Sequence, residues 1–441
     1  MSADFKPFAA SVEPSLPEVH SSVRISTSTV GWRRLLGFLG PGFLISVGYM
    51  DPGNWATDIA GGSRFGYTLL FVNMASNLTA ILLQSLSLKL GVATERDLAQ
   101  LFHESFGRRV SFFLWIGAEI AIAACDLAEV IGSAIALNLL FHIPLLYGVL
   151  ITGLDVLLIL LLQKWGFRWI EALVIALIGT IIAMFGIQLF FSRPDFWPIA
   201  RNLFIPSAAI VTNHDMLYIA IGILGATVMP HNLYLHSSIV QSRRYLRTPA
   251  GKREAIFMAN IDSALALTVA LFVNAAILIV AAAVFHRSGH FEVGAIEDAY
   301  KLLSPLVGAA GASTLFAVAL LASGQNSSIT GTLAGQIVME GFIHLKVSPW
   351  LRRMITRSIA IIPTIFVVWY MGERGTEKLL ILSQVILSLQ LSFAVVPLVL
   401  FTGSRKKMGE FVNGPALQAL AWFTAALIAA LNGWLLLQTT W

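Results

Sequence analysis

Eleven apolar stretches of bilayer-spanning length run through the chain. They lie near residues 35–62, 66–91, 111–140, 145–163, 169–191, 214–241, 254–285, 312–343, 354–371, 378–402 and 415–438. Backbone in hydrocarbon must satisfy its own polar groups, which a helix does within one segment. A barrel would show short alternating strands instead. Of the 441 residues 57% are hydrophobic and only 12% charged, with a mean hydropathy of +0.78, whereas soluble domains run at about 45–50% apolar and about 25% charged. The expected fold class is an all-α integral membrane protein. The single cysteine, Cys125, rules out an intramolecular disulfide framework and any cysteine-based zinc or iron–sulfur site.

The basic residues report orientation rather than nucleic-acid binding. With the N-terminus in the cytoplasm, 22 of the 29 Lys and Arg residues fall on the cytoplasmic side. An odd number of spans then puts the C-terminus outside. Residues 1–34 are polar, rich in Ser, Pro and Val, and hold no continuous apolar core. They are expected to form a disordered cytoplasmic tail rather than a cleaved signal, leaving 35–441 as the membrane domain.

Two spans are interrupted in matching positions. The first contains Gly48-Tyr49-Met50-Asp51-Pro52-Gly53-Asn54 and the sixth Gly225-Ala226-Thr227-Val228-Met229-Pro230-His231-Asn232. Proline removes a backbone donor and pushes the residue before it out of the helical region, so Asp51 and Met229 should sit on unwound backbone. Aligned on the prolines, Asn54 matches Asn232. The breaks are five spans apart, an odd number, so the second unit is inserted upside down. This predicts inverted repeats of spans 1–5 (35–191) and 6–10 (214–402), with span 11 (415–438) appended. A simple proline kink needs no carboxylate, and Asp at mid-membrane costs about 2.5–3.5 kcal/mol, which marks Asp51 as functional.

The donors around the breaks are the Asp51 carboxylate, the Asn54 amide oxygen, the Met229 thioether and a freed carbonyl, most plausibly that of Ala226. An anion would need amide donors or Arg, so this is a cation site. Alkali ions and Mg²⁺ gain nothing from sulfur, whereas Mn²⁺, Fe²⁺, Co²⁺ and Cd²⁺ accept a mixed oxygen and sulfur shell. Copper would more often meet several Met or Cys residues. The competing reading of Met229 is as an apolar gap-filler.

Asp51-Pro52-Gly53-Asn54, Met229-Pro230-His231-Asn232 and the eighth-span run Gly324–Gln336 together resemble the signatures of the Nramp family of divalent metal transporters. The family pattern usually has Ser where Asn326 stands and Thr where Ser328 stands. The resemblance implies a LeuT-like fold and proton-coupled import of Mn²⁺ or Fe²⁺, with Co²⁺ and Cd²⁺ as further cargo. It also implies that Asp51, Asn54, the Ala226 carbonyl and Met229 hold the metal, joined in an occluded state by Gln384 or the nearby Gln390. Length and span count are similar to those of bacterial members. A multi-pass protein of the bacterial inner membrane follows, monomeric, without a resident cofactor or enzymatic activity.

Glu119, Asp126 and Glu129 share one stripe of span 3 and should face the bundle interior. They read either as a proton relay running from Asp51 and His231 through Glu129 and Asp126 to the cytoplasm, as the resemblance also implies, or as ion pairs that position helices. Arg352 and Arg353, at the start of span 9, are candidate partners. His231 and His236 are five apart, so they do not form a metalloprotease pair. Asn77 and Asn274 read as helix-to-helix hydrogen bonds. Rival functions are a sodium- or proton-coupled organic-solute symporter, which has no use for a thioether, and an intramembrane enzyme, for which no nucleophile and base converge.

Overall fold

A computed structural model describes residues 14–17, 19–25, 32–154, 166–307, 311–344, 347–371 and 373–439. The first five-span unit begins with α1 (Trp32–Phe38) and α2 (Pro41–Val47), the latter running on as one tight turn to Met50, followed by α3 (Pro52–Phe65). It continues with α4 (Leu70–Thr94), α5 (Leu98–Phe141), α6 (Leu145–Thr152) and α7 (Phe167–Ser192). The second unit holds α8 (His214–Thr227), α9 (Pro230–Ile239), α10 (Pro249–Ala281), α11 (Ala312–Ile343), α12 (Pro349–Met371) and α13 (Glu373–Thr402). α14 (Pro415–Thr439) follows. Most of the fourth expected span beyond α6, residues 155–163, lies outside the described residues.

Packing between helices follows the predicted inversion. α2 and α3 lie against α10, and their counterparts α8 and α9 lie against α4; α5 packs on α13 as α11 packs on α7; α2 meets α7 as α8 meets α13. α5 and α11, equivalent to each other, form the most extensive interface. The chain is an all-α membrane protein with the LeuT-like architecture.

Seven helical stretches among the described residues are long and apolar enough to cross a membrane. α11 is long enough but is not among them, because its Gly324–Gln336 run replaces apolar residues with Gly, Ser, Asn, Thr and Gln. Such a helix is tolerated because nearly all of that run is buried in protein. α5 starts well before the expected residue 111. Asp97 caps it, accepting from the Gln100 amide at 2.9 Å while the Gln100 side chain accepts from the Asp97 amide at 3.1 Å. Gly107, at φ 72°, then turns the chain within it.

Within the tail expected to be disordered, the described residues 14–17 and 19–25 are held against the helices. Strand β1 (Val23–Arg24) pairs in parallel with β2 (Arg243–Arg244), just beyond α9. The Ser21 amide donates to the Gln241 carbonyl at 3.0 Å, and the Leu16 amide to Glu340 Oε2 at 3.0 Å. Leu16, Val19 and Val23 join the main core. These three scattered apolar residues are too sparse to announce an element, yet their burial offsets the entropy of ordering the segment.

Candidate metal site at two broken helices

The first break centres on Asp51, whose backbone is extended at φ −70° and ψ 167°. Asp51 Oδ1 caps α3 by accepting from the Asn54 amide at 2.8 Å. The carbonyls freed in this turn are held by neighbouring helices: Asn274 Nδ2 of α10 donates to Tyr49 O at 2.7 Å, and Ser323 of α11 and Trp55 Nε1 donate to Met50 O. Asn274 is thus the expected helix-to-helix bond, placed where it fixes the break.

The second break centres on Val228 and Met229, the latter extended at φ −75° and ψ 127°. Pro230 has no N–H, so it cannot close a helical turn onto the Ala226 carbonyl. The two breaks touch: a side chain at Gly48 would strike the Asn232 amide. Gln384 of α13 lies between them, because a Cβ at Gly53 would collide with its side chain and one at Gly225 with its carbonyl. Gln390 instead sits beside Tyr234 and Gly117. Of the two glutamines, Gln384 is therefore the one at the breaks.

Asp51 Oδ2, Asn54 Oδ1 and Gln384 Oε1 are all buried without a hydrogen-bond partner among the described residues. An unsatisfied buried polar atom costs about 1–3 kcal/mol, so oxygens of this kind on three residues at the breaks suit a bound cation. Met229 is fully buried and shares a small apolar cluster with Cys125, Ala121 and Leu387. The set offers one carboxylate, two amide oxygens, a helix-end carbonyl and one thioether, a shell suited to a borderline divalent ion.

On α5, Glu129 and Asp126 are brought together by a basic residue that the sequence analysis does not single out. Arg357 of α12 is buried, with Nη1 3.3 Å from Glu129 Oε2 and 3.9 Å from Asp126 Oδ1. Ser327 and Ser328 of α11 donate to the two Glu129 oxygens at 2.9 and 3.0 Å. Glu129 is within electrostatic reach of Asp51, and Asp126 of His231. Glu119 lies further along the helix, half-buried, and accepts from Trp115 Nε1 at 3.0 Å. The side chains of Arg352 and Arg353 lie outside the described residues. The signal for Arg357 was present, since an Arg inside the expected span 354–371 seeks a buried acid.

His231 is buried, with neither ring nitrogen hydrogen-bonded among the described residues. His236, left unassigned by the sequence, has Nδ1 2.9 Å from Gln84 Oε1, and Gln84 Nε2 donates to the Tyr49 hydroxyl at 2.6 Å. This chain joins α9 to the first break through α4. Asn326, one of the departures from the family pattern, donates weakly to Val174 O at 3.4 Å. Ser328, the other, still reaches both Glu129 and Arg357.

On the face that carries the tail, the start of the first span is clamped. Asp262 of α10 accepts from the amides of Gly40 at 3.2 Å and Gly42 at 2.7 Å. Arg243 pairs with Glu171 at 2.7 Å and donates to Leu39 O at 2.6 Å, both side chains being almost fully buried.

The Nramp family model, described as natural resistance-associated macrophage protein-like, matches residues 42–438. A divalent metal cation transporter MntH of Nostoc is 61% identical over 97% of both chains, and one of Listeria innocua is 60% identical over 97% of this chain and 95% of its own. The manganese transporter of Eremococcus coleocola superposes with a TM-score of 0.88 at 44% identity, over 95% of this chain and 90% of that one. A nucleobase-cation-symport-1 transporter in a closed conformation shares the fold at a TM-score of 0.59, with 15% identity over 95% and 93% of the two chains.

Proposed function

The chain belongs to the Nramp family, and from that membership and the chemistry of its breaks we propose that it imports divalent transition-metal ions, Mn²⁺ or Fe²⁺, with proton symport. It is a transporter, not an enzyme. The observation that carries the reading is that Asp51, Asn54 and Gln384, whose buried oxygens have no hydrogen-bond partner among the described residues, all stand at the two touching breaks that also hold Met229. In this reading they hold the ion with the Ala226 carbonyl and the Met229 sulfur. The same donor set accepts Co²⁺ and Cd²⁺.

Transport proceeds by alternating access in a bacterial inner membrane, with the N-terminus cytoplasmic and the chain acting as a monomer. The ion reaches Asp51 from outside and exchanges water for protein ligands. The clamp of Asp262, Arg243 and Glu171 on residues 39–42 holds the inner side closed while the ion enters, and its release opens the way to the cytoplasm. Protons leave Asp51 and His231 by way of Glu129 and Asp126, with Arg357 as the buried counter-charge. The membrane potential supplies a further pull of about 2.3 kcal/mol per elementary charge per 100 mV.

Purified protein in liposomes tests this. Mn²⁺ entry should be stimulated by an inward proton gradient and resist excess Ca²⁺ in the wild type, while Met229→Ala becomes sensitive to Ca²⁺. Wild-type vesicles that admit no Mn²⁺ would overturn the assignment and direct the search to organic solutes.

A further inference from the structure

The described part of the tail is anchored at two separate places. At its beginning the Leu16 amide donates to Glu340, near the end of α11, and Ser15 lies beside Asp97, the cap of α5. α5 and α11 share the most extensive interface in the molecule, so this anchor is set on a closely packed pair. A turn follows, in which the amides of Val19 and His20 donate to Leu16 O at 3.0 and 3.1 Å. The second anchor lies just beyond α9: the Ser21 amide donates to Gln241 O, β1 pairs with β2, and Ile25 rests against Gly37 of α1.

β2 is also where the inner clamp is rooted. The register sets Val23 opposite Arg243, the residue whose guanidinium pairs with Glu171 and donates to Leu39 O. Releasing residues 39–42 requires Arg243 to let go of that carbonyl. Its backbone, however, is held in a ladder with a segment whose far end is tied to α5 and α11. Only Leu16, Val19 and Val23 of that segment reach the main core. So small an apolar contact belongs to the least stable part of a fold, the part that detaches without general unfolding.

We propose that residues 15–25 form a strap that keeps the inner side closed, positioning Arg243 through β2 while anchored at Asp97 and Glu340. The strap rests on the alternating-access reading and adds a regulatory element to it. Detaching the tail frees β2, loosens the hold of Arg243 on Leu39 O and shifts the molecule towards the state open to the inside.

The test is cysteine accessibility in the full chain with Cys125→Ser. Leu44→Cys stands on α2 at a fully buried position, so its modification by a water-soluble maleimide reads inner opening with no metal present. Ser21→Pro removes the amide that donates to Gln241, and proline cannot adopt the φ of 54° found there. It should speed the modification by about fivefold or more, the scale of one lost hydrogen bond. Leu16→Asp, which sets a second carboxylate against Glu340 at the other anchor, should do the same and serves if Ser21→Pro folds poorly. Ala317→Cys, buried near the opposite end of α11, should stay unreactive in both. An unchanged rate at Leu44→Cys would overturn the strap. So would an equal gain at Ala317→Cys, which would mean general loosening. Asp262→Ala measured in parallel separates strap from clamp: a gain there with none in the tail variants keeps the clamp and removes the strap. A gain in the tail variants alone keeps the strap and removes Asp262 from the clamp. Failure of Mn²⁺ to enter liposomes would count against metal import and leave these rates as they are.

Discussion

Arg357 Nη1 lies 3.3 Å from Glu129 Oε2, and neither side chain is more than 2% exposed. A buried ion pair of this kind is weak evidence for net stability, but removing one member strands the other's charge at a cost of about 3–5 kcal/mol. Arg357→Gln should therefore lower the unfolding midpoint of the detergent-solubilised protein sharply, and Glu129→Gln should do the same. The double variant should recover a substantial part of the loss. Additive losses in the double variant, measured by thermal unfolding, would mean that the two side chains are not coupled.

Gln384 lies against Gly53 and Gly225, while Gln390 lies beside Tyr234. Removing one neutral oxygen ligand, a contact of about 1–2 kcal/mol, weakens binding by about tenfold. Calorimetric titration with Mn²⁺ should show that loss for Gln384→Ala and a change within about twofold for Gln390→Ala. The reverse order would place the other glutamine at the ion.

How much of this was legible in the sequence depended on whether a residue's signal was local. Pro52 and Pro230 unwind the backbone wherever they stand, and the cost of a mid-membrane Asp holds in any fold, so the two breaks could be read directly. Arg357 and Arg243 are two of the 22 basic residues on the cytoplasmic side of the positive-inside count, because proximity to a span end is all that hydropathy records. Both prove to be buried counter-ions, of Glu129 and Glu171. Gln384 and Gln390 sit six residues apart on different faces of one helix, and only packing against Gly53 and Gly225 decides between them. The tail pairs with a strand more than two hundred residues away, a contact that no local pattern encodes.

The two amides held by Asp262 give the inner clamp a specific test. Asp262→Ala leaves the N–H groups of Gly40 and Gly42 buried and unsatisfied, at about 1–3 kcal/mol each, and so favours release of the first span. Cys125 is the only native cysteine, so in a Cys125→Ser background the variant Leu44→Cys reports on a position that is fully buried when the clamp is closed. Adding Asp262→Ala should speed its modification by a water-soluble maleimide by about tenfold or more. An unchanged rate would show that Asp262 does not hold the inner side shut.

Asp97 lies between α4 and α5, outside the membrane-spanning segments, and links the tail to pH. Burial pushes its carboxyl from the ordinary 3.8 up to about 6, against the opposing pull of Ser15 beside it and the amide donation from Gln100. Glu340, which holds the Leu16 amide, adds a like charge that raises it further. A carboxyl raised in the folded state favours the fold when protonated. Its contribution is complete below about pH 4 and is lost as pH rises through about 6, a change of about 3 kcal/mol. Asn is as good a helix cap as Asp and does not titrate. Asp97→Asn should therefore unfold at a higher temperature than the wild type at pH 7.5, and the difference should shrink towards pH 4. A difference that stays constant across that range, measured by differential scanning fluorimetry, would show that Asp97 ionises freely in the folded chain and that burial beside the tail does not raise its pKa.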